Sequence, residues 1–375
     1  MDNMAITEAT LATYVEELQP ALKNIYEVED KLAECKEGID SIISKLLDED
    51  LEISAWLGDN LFRTDNPERK VQAIKLLKEL KSELSGTSID LNILKHDIQD
   101  DLNSLLMEFL EWRKCFKNTL PLISLSIVVP SYKKIALDKY VALTLFVVNQ
   151  WIGKIKVLDS LVAKLGTLGA IAAVLYLITG IIQGELRKEY FENIQAETNK
   201  AKEDLTKTKQ EINRGQSQVN AFFKDLAMTF KETGLLQDTV VNHRELVFLV
   251  KEQNSTLRKW SDQFNAMKRM HEKGMDLSVA ASIAAEALCK NTADPNELQK
   301  VTNTLLGSYL IESHTDLAEI SNTLKVSGDQ AKKIKAMYML FTKHTPSEIA
   351  RVLEMEIQEV ESIQEENKDI LASVA

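Results

Sequence analysis

The chain has 375 residues and a formal net charge of −12, with 45% hydrophobic and 27% charged residues. These values are ordinary for a folded soluble protein and exclude a polytopic membrane protein, and the negative charge argues against a general nucleic-acid binder. Glycine (13) and proline (6) are scarce, so long intervals contain nothing to break a helix and the composition predicts an all-α fold.

The first half of the chain, residues 1–118, is predicted to form two long helices of an elongated, coiled-coil-like bundle. Apolar side chains recur at helical spacing from Thr7 to about Leu57, and we expect Pro20 to kink this helix or to end a short first one. The segment TDNPER, residues 64–69, places a capping residue before a proline and therefore predicts the start of the second helix.

The second helix is expected to run to about Asn118 and carries two rows of apolar residues at heptad spacing. This spacing predicts a coiled-coil seam, which needs partner helices. The rows consist of Leu91, Ile98, Leu105 and Trp112, and of Leu102, Phe109 and Phe116.

Residues 119–184 contain three apolar pieces and are predicted to form an apolar head. The first piece, 120–130, is bracketed by Pro121 and Pro130 and is rich in β-branched residues, so it is either an extended tongue, which these residues favour, or a helix. The pieces 140–158 and 165–184 are expected to be the two arms of a helical hairpin. Because both arms lie between the second and third long helices of the chain, the hairpin is expected to project from one end of the rod.

The arm 165–184 is twenty residues long and carries no charge. At ~1.5 Å per residue it would form a helix of about 30 Å, the thickness of the hydrocarbon core of a bilayer. A buried core helix of a large helical protein is the alternative interpretation of a run of this length. Small residues favour a membrane span, because Gly180 and Gly184 have the GxxxG spacing that lets helices approach closely in lipid.

The same region carries an excess of positive charge, with six lysines against two aspartates between residues 119 and 184. A basic and apolar region on an acidic chain suits approach to an anionic membrane. The expected interface anchors are two aromatic residues and three lysines, Tyr140, Trp151, Lys154, Lys156 and Lys164. The expected hinge residues are the glycines Gly153, Gly166, Gly169, Gly180 and Gly184.

The second half of the bundle, residues 185–290, is predicted to contain a third and a fourth long helix. The third begins near Glu185, and polar residues in the middle of its apolar stripe predict loose packing along one side. The fourth is expected from about Gln237 to Cys289, with a possible break at Gly274. The stripe of the third helix consists of Phe191, Ile194, Thr198, Ala201, Leu205, Thr208, Ile212, Gly215, Val219, Phe222 and Leu226.

Residues 291–375 are predicted to form a small helical domain, because the turn signals NTADPNE, KVSGDQ and KHTPSE separate short segments. The segment TPSEIARVLEMEIQEVESI resembles a helix-turn-helix, and TDLAEISNTLKVSGDQAKKI resembles a second copy. Glu356, Glu359 and Glu361 in the second helix of the first segment would face DNA phosphates. We therefore expect a packing or partner-docking domain and no nucleic-acid partner.

The apolar head poses a solubility problem, because a soluble chain cannot leave so much apolar surface exposed. Either the hairpin is tucked against the long helices until a membrane or partner releases it, or the protein is permanently anchored. The weak stripe of the third helix and the glycines at the ends of the arms favour the first arrangement, since a switch needs two packings of similar free energy.

This layout resembles the α-helical pore-forming toxins of the cytolysin A superfamily, which include xenorhabdolysin-type and motility-associated killing factor components. The likeness covers roughly residues 1–290 and lies in the order of elements, with no signal peptide and one apolar head between the middle helices. It implies a soluble form, secreted without a classical signal peptide, that binds the bilayer of a target cell and forms a homo-oligomeric pore. In multi-part members of the family, a second and a third component take part.

By position, the resemblance makes 165–184 the inserting arm and 140–158 the second arm. The residues it would place in the membrane are the apolar ones of both arms. They are Leu165, Leu168, Ile171, Val174, Leu175, Leu177, Ile178, Ile181 and Ile182, with Leu143, Leu145, Phe146 and Val147.

An enzymatic function is not expected. The five histidines lie far apart, and HExxH, GxSxG and P-loop motifs are absent from the sequence, so we predict no catalytic residues, no metal ligands and no cofactor. The three cysteines are distant from one another and do not indicate a disulfide framework. The competing hypothesis is a scaffold protein that a permanent hairpin anchors in a membrane and that presents its coiled-coil rod to partners.

Overall fold

The computed structural model describes residues 8–47, 67–129, 132, 190–232, 236–237, 242–289, 294–313, 316–368 and 370–371. Within these residues all regular secondary structure is helical, which confirms the all-α class. The helices in chain order are α1 (Glu8–Leu47), α2 (Pro67–His96), a π-helical turn (Asp97–Leu102), α3 (Asn103–Asn118), α4 (Leu120–Val128), α5 (Tyr190–Glu232), α6 (His243–Glu272), α7 (Leu277–Leu288), α8 (Pro295–Glu312), α9 (Leu317–Leu324), α10 (Gly328–Phe341), α11 (Pro346–Leu353) and α12 (Ile357–Glu366).

Most predicted helix limits are confirmed within the described residues. The second predicted helix begins at Pro67 and reaches Asn118, with the π-helical turn in its middle. Pro20 lies inside α1 and does not end a first helix. The fourth predicted helix is broken where expected, because Gly274 adopts a φ of +94° that L-residues rarely take. The predicted extension of the first helix to Leu57 lies outside the described residues.

The chain divides by its internal contacts into two units. One, the long-helix unit, consists of residues 14–103 and 153–223, and the other, the C-terminal unit, consists of 1–13, 104–152 and 224–375.

In the long-helix unit, α1 and α2 run antiparallel. Lys81 Nζ lies 2.6 Å from a carboxylate oxygen of Asp40, and further along α2 Lys95 Nζ lies 2.7 Å from Glu29. Residue numbers therefore rise along one helix as they fall along the other. The predicted apolar faces of both helices are buried. They include Leu22, Ile25, Leu32, Ile39 and Ile43 on α1, and Leu91 on α2. Leu77, Leu80, Leu84 and Leu94 of α2 are also buried, although the prediction did not name them.

Helices α2 and α5 run parallel. Lys202 Nζ lies 2.6 Å from Glu79, and Gln216 Nε2 donates to the Asp90 carbonyl oxygen at 2.9 Å. The end of the π-helical turn and the start of α5 therefore lie at opposite ends of this unit, about 50 Å apart at ~1.5 Å per residue. The hairpin that is predicted to project from one end of the rod, residues 140–184, lies outside the described residues.

The predicted stripe of the third long helix is confirmed along the described part of α5. All nine stripe positions from Thr198 to Leu226 are buried. The side chains of Phe191 and Ile194 lie outside the described ones. Periodicity alone thus identified the buried face of this helix, including its polar members.

The C-terminal unit is built around α4, which packs against α8 and α10. Leu122, Ile123 and Leu125 of this helix are buried. Of the two interpretations of 120–130, the helix is therefore confirmed for 120–128, and the favoured extended tongue is wrong there. Pro121 occupies the first turn, where its missing N–H leaves no hydrogen bond unmade, and tertiary burial outweighs the strand preference of the β-branched residues.

The short C-terminal helices are confirmed, as is their repeated helix-turn-helix geometry. In both copies, α9–α10 and α11–α12, the first helix ends at a residue in the left-handed conformation, Lys325 (φ 53°) and Glu354 (φ 51°). Helix α10 is buried along Ile334, Met337 and Leu340 and belongs to the core of the unit.

Candidate functional site

The residues predicted to enter or anchor in a membrane all lie between Tyr140 and Gly184, outside the described residues. This holds for the apolar residues of both arms, for the aromatic and lysine anchors and for the five hinge glycines. In the part of the chain that the structure describes, no helix combines the length and the apolar character needed to cross a membrane.

The described part of the C-terminal unit contains a cleft of about 490 Å³, hereafter the α8–α10 cleft. It lies between the first turns of α8 and the turn that joins α9 to α10, and the chain just after α4 forms its floor. A volume of this size is typical of sites for small organic molecules.

The floor of the α8–α10 cleft is apolar and well fixed. Its buried members are Val129, Tyr132 and Leu324. The Val129 N–H donates to the Leu125 carbonyl, and the Tyr132 N–H donates to the Val129 carbonyl, both at 3.0 Å. The backbone of Val129 is extended (φ −116°, ψ 101°), so α4 ends here, and the two bonds hold Val129 and Tyr132 beside its end.

The hydroxyl of Tyr132 ties the floor to α9. It donates to the Leu324 carbonyl oxygen at 3.1 Å. This carbonyl belongs to the last turn of α9, where acceptors lack partners within the helix, so the tyrosine satisfies one of them. Burial raises the pKa of Tyr132 above its ordinary value, so the hydroxyl keeps its proton and remains a donor.

The rim of the cleft is polar and cationic. Its side chains are two lysines and four carboxamides, Lys300 and Lys325 with Asn296, Gln299, Asn303 and Gln330. Carboxylate, histidine and cysteine side chains are absent from the described lining. The donor set therefore suits an anion and does not suit a metal ion, which requires such ligands.

The two lysines reach the rim from opposite walls. Lys300 comes from α8, and its ammonium lies 5.4 Å from the centre of the Tyr132 ring, within the range of a cation–π interaction. Lys325 is the left-handed residue that ends α9. The turn between α9 and α10 thus sets the direction of the backbone that carries Lys325.

The start of α10 contributes further donors. Ser327 caps this helix in a capping box in which Gln330 Oε1 accepts from the Ser327 N–H at 3.1 Å. The carboxamide oxygen of Gln330 is thus already hydrogen-bonded, and the carboxamide nitrogen of Gln330 remains a donor at the cleft. The N-terminal end of a helix also carries partial positive charge, which adds to that of the lysines.

Sequence reasoning did not identify the α8–α10 cleft. The turn KVSGDQ and the helix start in NTADPNE were recognised, and these segments supply Lys325, Gln330 and Asn296. What the sequence lacks is a local signal that the first turns of α8 face the α9–α10 turn. The two turn segments KVSGDQ and NTADPNE, which together are rich in Lys, Asn and Gln, are the sequence feature that could have indicated this cleft.

Comparison with known proteins gives no match: no family model fits the chain, and no curated protein or solved structure is similar to it.

Proposed function

We propose that this protein is an α-helical pore-forming toxin or one component of a multi-part toxin. A soluble form binds a target membrane, releases the apolar hairpin 140–184, inserts it and oligomerises. The observation that carries the proposal is the uncharged, bilayer-length run 165–184, which lies in the chain between two long amphipathic helices, α2–α3 and α5.

The polar members of the long-helix stripes support a body that can repack. Thr87, Thr198 and Thr208 are buried in the long-helix unit. The hydroxyls of Thr87 and Thr208 donate to carbonyls of their own helices, at 2.9 Å and 3.0 Å, and so do not join one helix to another. A stripe that contains threonines gains less free energy from burial than an all-leucine stripe. The free-energy difference between this packing and an alternative packing is therefore smaller.

Dye release from liposomes tests the proposal, with detergent-free purified protein and with anionic and neutral lipids. We expect release, or lipid binding that becomes release when partner components are added. Gly169→Arg should abolish release, because it puts a charge in the inserting arm. Gly328→Arg is the matched control, since Gly328 borders open space in the C-terminal unit and should leave release unchanged.

The competing function, a scaffold on a permanent membrane anchor, predicts the opposite results. Such a protein would need detergent for extraction and would not release dye under any condition. Full release by Gly169→Arg would remove the 165–184 segment from the mechanism.

A further inference from the structure

We infer that the outward face of α7 binds the same face of a second copy of this chain, so that two α7 helices pack antiparallel across a two-fold axis. The inference rests on the packing and the charges of the C-terminal unit and does not depend on the proposed pore formation. It concerns the protein in solution, before any contact with a membrane.

Helix α7 is apolar on two faces, and the described residues bury only one of them. The inner face packs against α6 and α8 through four buried alanines, Ala280, Ala281, Ala284 and Ala285. On the outer face, Met275, Val279 and Ile283 follow one another at a spacing of four and are 36%, 49% and 43% exposed. A helix that is apolar nearly all round is normally buried on every side, so the outer face of α7 has the character of an interface.

The row on α7 differs from the other exposed apolar side chains of this unit. Single exposed apolar residues are normal on protein surfaces. Phe248 on α6 and Val352 on α11 are such cases, because each is the one large exposed apolar residue on the described part of its helix. On α7 the spacing of four places three of these residues on one side, where they form a continuous patch.

The polar groups of the outer face already have partners within the same chain. Ser278 Oγ donates to Asp276 Oδ1 at 2.5 Å, and Ser282 Oγ donates to the Ser278 carbonyl at 3.0 Å. The same Asp276 oxygen accepts from the Ser278 N–H at 2.9 Å. Removing water from this face would therefore leave these hydrogen bonds intact, which keeps the cost of covering it low.

The charges at the two ends of the row indicate which partner covers it. Lys273 is exposed in the turn that precedes α7, where Arg269 offsets the charge of Glu272. Glu286 is exposed in the last turn of α7 and is the one charged residue of that helix. A face that is positive at its start and negative at its end is complementary to an antiparallel copy of itself, which is the pairing that a two-fold axis produces.

The spacing along the chain fits this pairing. When two antiparallel helices are centred on Val279, Met275 of one lies opposite Ile283 of the other, and residue 273 lies opposite residue 285. Lys273 then comes within about one residue, ~1.5 Å along the axis, of Glu286 in the second copy. The two-fold axis makes this contact twice in each dimer.

The size of the face predicts a weak dimer. Helix α7 has 12 residues and is therefore about 18 Å long, so its exposed row is smaller than the surface that a stable dimer buries. We expect a dissociation constant in the micromolar range or weaker, and hence a monomer–dimer equilibrium that depends on protein concentration.

Sedimentation velocity of the full-length, detergent-free protein over a range of concentrations tests the inference. The wild type should shift from monomer to dimer as its concentration rises. Val279→Lys should weaken dimerisation by about tenfold or more, because the two-fold axis places the two new charges side by side. Val352→Lys is the matched control, since Val352 is 58% exposed on a helix of the same unit and should leave the equilibrium unchanged.

A charge exchange identifies the partner as a second copy. Lys273→Glu and Glu286→Lys should each weaken the dimer by about threefold to tenfold, because each turns two attractive contacts into repulsive ones. The double variant restores an opposite charge at both contacts, so it should dimerise nearly as well as the wild type. A different partner would not follow such a change in this chain.

Three outcomes would overturn the inference. These are a wild type that stays monomeric at every concentration, a Val279→Lys variant that dimerises like the Val352→Lys control, and a double charge variant that is no better than the single ones. If the monomer binds lipid vesicles and Val279→Lys abolishes this binding, the face belongs to a membrane and not to a second copy. Because sedimentation does not measure leakage, a failure here would leave the proposed pore function standing, and a lack of dye release would leave the dimer standing.

Discussion

The two units of this protein hold their helices together by different means. In the long-helix unit, α1, α2 and α5 each bury an apolar stripe, which includes threonines on α2 and α5, and exposed ion pairs such as Lys81–Asp40 lie beside these stripes. In the C-terminal unit, short helices pack in several apolar clusters, two of which include α4, and many of the helices begin at side-chain caps. The capping residues are Asp276, Asp294, Asp316, Ser327 and Thr345.

The difference indicates where each unit is sensitive to change. Exposed ion pairs contribute about 0–1 kcal/mol each, so the long-helix unit depends on the sum of many similar contacts along its stripes. The C-terminal unit depends on a few contacts that involve several helices at once. We therefore expect single core substitutions to be more damaging in the C-terminal unit.

Truncation of a buried side chain on α4 should give the largest loss of stability. Ile123 is fully buried against the surrounding helices, so Ile123→Ala should lower the free energy of unfolding of the C-terminal unit by about 2–5 kcal/mol. Hydrogen exchange followed by mass spectrometry measures this loss in peptides from α8 and α10. The control is Ile89→Ala on α2, where the side chain is 62% exposed and the change should stay within about 0.5 kcal/mol. Equal losses of protection in the two variants would contradict the comparison.

A close helix contact should give the next largest effect. In α8, a Cβ atom on Gly307 would lie 2.3 Å from Leu324 Cδ2, so Gly307→Ala forces the leucine of α9 to move. We expect a loss of about 1–3 kcal/mol in the free energy of unfolding, measured by denaturant titration.

Two further variants show whether the contact is the cause. Gly328→Ala has open space around the new Cβ and should be neutral. Leu324→Ala added to Gly307→Ala removes the clashing atoms, so the double variant should lose less stability than the sum of the single changes. Strict additivity would show that the contact is not responsible.

The comparison also explains which features the sequence predicts. The stripes of the long helices are repeated many times, so helical periodicity identified the buried positions of α5 from Thr198 to Leu226. The C-terminal helix starts were predicted because a cap such as Thr345 is a local signal within a few residues. Both kinds of feature are encoded in short, continuous stretches of chain.

Features that depend on distant contacts were not predicted. Helix α4 was misassigned because its burial comes from α8 and α10, far along the chain. Lys335 looks like a surface residue in the sequence, yet its ammonium is buried and donates to the carbonyls of Ile311 and Ser313 at 2.5 Å and 2.7 Å. The α8–α10 cleft belongs to the same class, because its walls meet only in the folded unit.

A buried thiol provides a pH-dependent test of the long-helix unit. Cys35 on α1 is fully buried, and burial, with a smaller effect of Glu34, raises its pKa from 9.0 to about 12. Between these two values the folded state holds a proton that the unfolded state releases, so the free energy of unfolding falls as pH rises. From pH 8 to pH 10 this residue alone should account for a loss of about 1.4 kcal/mol.

Cys35→Ala isolates this contribution. The variant should have a shallower decline of unfolding free energy between pH 8 and pH 10 than the wild type, measured by denaturant titration at each pH. Only the difference in slope is informative, because other groups titrate equally in both proteins. Parallel curves would show that Cys35 is accessible to solvent and that the stripe around it opens readily.

The smallest predicted change in stability is a gain, whereas the preceding changes are losses. Thr198 is fully buried on α5, and its hydroxyl has no hydrogen-bond partner among the described residues. Thr198→Val replaces the hydroxyl with a methyl group of similar size, so it should raise the free energy of unfolding of the long-helix unit by about 1 kcal/mol. Thr206→Val on the same helix is the control, because that side chain is exposed and donates to the Lys202 carbonyl.

If the polar stripe allows the body to repack for membrane insertion, Thr198→Val should also slow dye release, whereas Thr206→Val should not. If Thr198→Val is more stable but releases dye at the wild-type rate, the polar stripe does not take part in the proposed switch.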